Sequence, residues 1–77
     1  MMLNSPPIKN NFPQVWHIWS LEHNAWWGPG GNGYTTDHRY AGLYSIQEAV
    51  HIVTQANKYR PIDQPNESMI PVINQTL

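Results

Sequence analysis

Ser45-Ile46-Gln47-Glu48-Ala49-Val50-His51-Ile52-Val53-Thr54-Gln55-Ala56-Asn57 decides the fold class, because it has a helical period in a chain otherwise written as short strands and turns. Ser45 and Glu48 stand at the spacing of a capping box: the Ser hydroxyl accepts from the N3 amide, and the N3 carboxylate reaches back to the cap amide. The helix is therefore expected to start at Ile46. Ile46, Ala49, Val50, Val53 and Ala56 recur as an apolar face, with Gln47, His51, Thr54, Gln55 and Lys58 opposite. Asn57, the basic Lys58 and Arg60, and then Pro61 predict an end between Asn57 and Tyr59, after about 13 residues.

Upstream, Val15-Trp16-His17-Ile18-Trp19-Ser20 is β-branched and aromatic, a strand composition. Alternation puts Val15, His17 and Trp19 on one face and Trp16, Ile18 and Ser20 on the other. Large groups on both faces make this a central strand. Leu21-Glu22-His23-Asn24 reads as a turn, returning the chain antiparallel through Ala25-Trp26-Trp27. Gly28-Pro29-Gly30-Gly31-Asn32-Gly33 ends regular structure, since glycine supplies positive φ and close backbone approach. Tyr34-Thr35-Thr36 resumes strand composition briefly, and Asp37 to Tyr40 is polar enough to be exposed. After a polar linker, Ser68 to Ile73 predicts a further strand, placed at an edge by Pro71. The expected architecture is α+β: a small, mostly antiparallel sheet of three or four short strands, ordered β-β-(β)-α-β, against one amphipathic helix. Ile46, Val50 and Val53 then meet either Trp16 and Ile18 or Val15 and Trp19. The pattern leaves that choice open.

Residues 1–14, with Pro6, Pro7 and Pro13, read as a flexible arm whose Ile8 and Phe12 are available to pack back on the domain. Residues 15–77 form the expected single domain. With 77 residues and no cysteine, the chain has no disulfide to compensate for the small buried fraction of so short a fold. Four Trp, four Tyr and one Phe point instead to an aromatic core, to association with another chain, or to both. The amino terminus has no apolar run behind a basic start and no stretch long enough to span a bilayer, so cytoplasmic residence without membrane contact is expected. Lys9, Arg39, Lys58 and Arg60 are widely spaced, which argues against double-stranded DNA as a partner.

Trp19-Ser20, Glu22-His23, Ala25-Trp26-Trp27-Gly28-Pro29, Gly33-Tyr34-Thr35, Ala41-Gly42, Tyr44-Ser45 and Glu48-Ala49 together resemble a group of small uncharacterised bacteriophage and prophage proteins with the pattern W-S-x-E-H-x-A-W-W-G-P, G-Y-T, A-G-x-Y-S-x-x-E-A. The resemblance covers Trp16 to Asn57. It implies a mobile-element origin in a host bacterial cell and carries over no catalytic role. Small phage proteins are often interaction devices that bind and divert a host protein.

No residues form a recognisable catalytic set. Cysteine is absent, no serine lies in G-x-S-x-G, and His17, His23, His38 and His51 lack metal-ligand spacing. Neither an enzyme, a metal nor a cofactor is expected. Glu22 and His23 are the nearest acid/base pair, but adjacent residues point apart, so they read as turn-shaping and surface groups. Of Trp26 and Trp27, one is expected inward and its neighbour exposed unless something covers it. Trp27, Tyr34, Arg39 and Tyr40 are the candidate binding patch around the glycine loop, with Glu22 and His23 beside it. The function expected is non-enzymatic binding that inhibits or modulates a host bacterial complex, such as a defence system, through this aromatic surface. Two alternatives remain: a homo-oligomer that sequesters a nucleotide by stacking, with Arg39 on phosphate, and a single-strand nucleic-acid binder.

Overall fold

The fold is described for residues 13–73 by a computed structural model; the arm expected over residues 1–14 lies outside this range except for Pro13 and Gln14. It is an α+β fold. Five strands, β1 (Val15–Ser20), β2 (Ala25–Trp27), β3 (Tyr34–Thr35), β4 (Tyr44–Ser45) and β5 (Glu67–Pro71), form one antiparallel sheet, and α1 (Ile46–Ala56) packs on one face. β1 is central, as its two-sided composition requires. β5 runs along one edge of it, from Trp16 opposite Pro71 to Ser20 opposite Glu67. On the other side, β2 pairs with the end of β1 and β4 with its start.

The helix begins where the sequence places it. Ser45 Oγ accepts from Glu48 N at 3.1 Å, and Glu48 Oε1 accepts from Ser45 N at 2.8 Å, so two amides otherwise left free at the helix start are satisfied. The other end is set by tertiary bonding. Asn57 caps α1 after 11 residues, its Oδ1 accepting from Asn66 N at 2.8 Å and Glu67 N at 3.0 Å while its Nδ2 donates to Glu67 O at 2.8 Å. One side chain thus closes the helix and fixes the start of β5.

The helix faces Trp16 and Ile18. Ile18, Tyr44 and Ala49 form the buried cluster, with Trp16, Trp27, Ile52, Val53 and Met69 packed around it. This corrects the expected apolar face of α1: Val50 is 47% exposed and Ala56 is exposed, whereas Ile52 packs inward. The inward line is Ala49-Ile52-Val53, rotated from the Ile46-Val50-Val53 line that the sequence suggests. Both lines have helical spacing. Ala49 at zero exposure shows why the first is used: with only a methyl group there, the helix sits close against Ile18 and Tyr44.

The opposite face of the sheet carries a second aromatic layer. Trp26 meets Trp19 edge-on at 4.9 Å and His17 at 5.5 Å, and His38 covers both rings, 4.8 Å from Trp26 and 4.7 Å from His17. Adjacent Trp26 and Trp27 therefore serve different layers, and both are half-buried. The chain itself supplies the cover that a second exposed Trp would need.

Candidate functional site

β2 and β4 pair with the same side of β1 and run in the same direction along it. Trp26 and Ala25 lie opposite Trp19 and Ser20, and Tyr44 and Ser45 lie opposite Trp16 and Val15. They are two halves of one interrupted strand. Between them, Gly28 to Leu43 leaves the sheet and returns, as in the compact surface loops whose ends meet. The neck is closed by backbone and core together. Gly42 N donates to Trp27 O at 2.8 Å, His17 Nδ1 donates to Gly42 O at 2.8 Å, and the Tyr44 hydroxyl donates to Gly28 O. A carbonyl only accepts, so the last two contacts place protons on His17 Nδ1 and the Tyr44 oxygen. The Tyr44 hydroxyl in turn accepts from Gly31 N at 2.9 Å.

Glycine at the neck is a steric requirement. A Cβ at Gly42 would stand 2.5 Å from Gly28 O and 2.8 Å from Tyr44 Cε2. Within the excursion, Gly28 N donates to Gly33 O at 2.8 Å across a single helical turn, Pro29–Gly31. β3 then pairs back on β2, and a second such turn, His38–Tyr40, carries the chain across the far face of the sheet. Asp37 caps that turn. Its Oδ1 accepts from Arg39 N at 3.0 Å and Arg39 Nε at 3.1 Å, and Oδ2 accepts from Arg39 Nη2 at 2.9 Å. The guanidinium fork and the amide hold the Asp37 carboxyl below the usual carboxylate range.

The expected site residues are dispersed over this excursion and the adjacent turn. Tyr34 is 45% and Tyr40 64% exposed, and the Arg39 guanidinium lies over the Tyr40 ring at 5.7 Å. These three keep an exposed placement. Trp27 does not: it is half-buried against the core, and its Nε1 donates to Glu67 Oε2 at 3.2 Å. The sequence leaves open which of Trp26 and Trp27 turns toward the helix; Trp27 does, meeting Tyr44 edge-on at 6.5 Å, and it keeps one partly exposed side. Glu22 and His23 separate as their adjacency demands. Glu22 exchanges bonds with Asn66, while the His23 ring stacks on Tyr34 at 3.8 Å. They form no acid/base pair.

The contacts made by His17, His38, Tyr44 and Glu67 are not readable in the sequence. Each gains its role from a partner distant in the chain: His17 from Gly42, His38 from Trp26, Tyr44 from Gly28 and Glu67 from Trp27. A local signal existed for Tyr44 alone, in its place just before the helix cap. His17 and His38 bring two imidazoles together, but among the described residues no group of three His, Cys, Asp or Glu is placed to hold a metal ion.

Three open depressions follow one another from α1 to the glycine turn and on to the His38–Tyr40 turn. The first, lined by Ile46, Val50, His51 and Thr54, shares His51 with the second, which lies between α1 and the glycine turn. The second has a volume of about 410 Å³ and shares Gly30 with the third, lined by Pro29, Arg39, Tyr40 and Leu43. Arg39 enters this surface already paired, so its fork is occupied by Asp37 before any phosphate arrives. Among the described residues no helix is long and apolar enough to cross a membrane. Compared with protein-family models, curated proteins and solved structures, the chain matches none.

Proposed function

We propose that this is a phage-derived, non-enzymatic protein that binds a host bacterial protein and modulates the complex it belongs to, a defence system being the specific version. The observation that carries the reading is the closed-neck excursion Gly28 to Gly42, which presents exposed Tyr34, Arg39 and Tyr40 from a base tied into the core by Tyr44 and His17. Tyr and Arg are the side chains that most often carry binding energy at protein interfaces. A base held by core residues limits the conformational freedom lost on docking. The phage origin rests on the sequence resemblance. The nucleotide-sequestering alternative is supported less, since the Arg39 fork is spent on Asp37.

The test is paired affinity capture from the bacterial host, using the tagged protein and its Tyr34→Ala/Tyr40→Ala variant. The reading expects a host protein at stoichiometric level with the first and its loss with the second, which stays folded with only the stability of the Tyr34–His23 stack removed. Equal capture by both removes the excursion as the binding surface. A clean oligomer carrying an ultraviolet-absorbing small molecule, with no captured protein, favours ligand sequestration.

A further inference from the structure

Glu67 is a buried carboxylate, 3% exposed, whose oxygens are met by neutral donors: Trp27 Nε1 on Oε2 at 3.2 Å and Asn66 Nδ2 on Oε1 at 2.7 Å. Among the described residues the ion pair is Arg39–Asp37, and no lysine or arginine reaches Glu67. Buried carboxylates are ordinarily matched by a cation, because desolvating an unpaired charge is costly. Here the indole stands between the carboxylate and the hollow beside α1. Trp27 lines that hollow with Gly30, Gly31, Tyr44, His51 and Glu48. An indole that gives its N–H to an anion becomes more electron-rich, and its face attracts cations more strongly.

Glu48 supplies a second negative group at the rim. Its Oε1 is engaged by Ser45 N, and a carboxylate has lone pairs to spare for a further donor. The hollow therefore has an aromatic wall backed by one carboxylate, another at its mouth, and no lysine or arginine among its lining residues. The geometry points to a subsite for a basic side chain, lysine or arginine, presented by the partner protein. This rests on the proposed function and names the partner's chemistry: a basic residue seated between Glu48 and the Trp27 ring while the excursion holds its surroundings.

The test uses the full chain, with the Trp27 indole N–H resonance assigned through Trp27→Phe. Acetyl-Gly-Lys-Gly-amide and acetyl-Gly-Arg-Gly-amide are titrated at about pH 8, where an ordinary histidine is uncharged, against acetyl-Gly-norleucine-Gly-amide as the uncharged control. The basic peptides should give saturable shifts at Trp27 and His51, and the control none. Glu48→Gln removes the charge and keeps the capping box, since glutamine serves equally at that position. It should weaken the basic peptides by about threefold, the range of an exposed charge pair. Absence of a saturable shift, equal shifts with norleucine, or affinity unchanged in Glu48→Gln overturns the subsite. If Tyr34→Ala/Tyr40→Ala loses the host partner while the wild type binds no basic peptide, the subsite fails and the excursion reading stands. If that variant still captures the partner and basic peptides bind, the excursion reading fails and the subsite stands.

Discussion

Gly42→Ala is the sharpest perturbation the structure offers. The added methyl would lie 2.5 Å from Gly28 O, 2.8 Å from Gly28 C and 2.8 Å from Tyr44 Cε2, and two of the three neighbours are backbone. Nothing at this point yields easily, so the neck must open. Overpacking of this kind costs ~1–3 kcal/mol. Opening also strains the Gly42 N to Trp27 O and His17 Nδ1 to Gly42 O bonds, each worth ~1 kcal/mol. With both bonds lost a total of ~3–5 kcal/mol follows, a large share of the ~5–15 kcal/mol that holds a domain together. The melting temperature should fall by ~12–40 °C. Gly31→Ala is the control, because its Cβ meets nothing within 4 Å and only its φ of +75° opposes a side chain, a cost of ~1–2 kcal/mol. Thermal and urea melts of both variants, with amide hydrogen exchange over Asp37 to Tyr40, read the outcome. A Gly42→Ala loss no larger than that of Gly31→Ala would refute the closed neck.

Val50→Asp should change stability by no more than ~0.5 kcal/mol, since the residue faces outward, while Ile52→Ala should cost ~1–2 kcal/mol in the same urea melts; the reverse ranking would restore the helix face suggested by the sequence. Asn57→Ala removes three hydrogen bonds between the end of α1 and the start of β5 and should cost ~2–3 kcal/mol, with exchange protection lost first at Asn66 and Glu67. The Asp37 carboxyl should titrate below an ordinary aspartate by NMR and rise toward the usual range in Arg39→Ala, which removes the guanidinium and keeps the backbone amide. Because its folded value is depressed, its contribution is full above the ordinary aspartate range and lost as pH falls through the folded midpoint. Its exposed position keeps that contribution small. An unshifted midpoint in the wild type removes the fork.

Legibility followed the range of the interactions. The start of α1 was readable because the capping box is made within four residues, and β1 was readable as central because its own alternation carries large groups on both faces. The rotation of α1 was not, because Ile46-Val50 and Ala49-Ile52 have the same period, and the choice depended on how closely the helix backbone approaches Ile18 and Tyr44. Asn57 read as a helix terminator, but nothing local told that its side chain would pair with Glu67. For the site, the glycine loop and the exposed Tyr34, Arg39 and Tyr40 were visible. Which of the adjacent Trp26 and Trp27 turns toward the helix was not, because alternation separates the two without ranking them, and the cover of Trp26 comes from His38, in a segment whose composition reads as a solvated loop.

That cover has a consequence for how the loop can act. His38 packs on Trp26 and His17, and His17 bonds Gly42, so the far turn of the excursion and its neck are joined through one buried ring. Tyr44 does the same on the helix side, reaching Gly28 and Gly31 while its ring sits in the core. The excursion is therefore clamped from both faces of the sheet. A loop held this way surrenders little conformational entropy on docking, so each exposed aromatic contributes more of its contact energy to affinity. The same clamp makes the core and the binding surface one cooperative unit. Substitutions at His17 or Tyr44 should weaken partner capture and stability together, whereas those at Tyr40 should weaken capture alone, and a stability-neutral loss of capture at Tyr44 would break the link between core and loop.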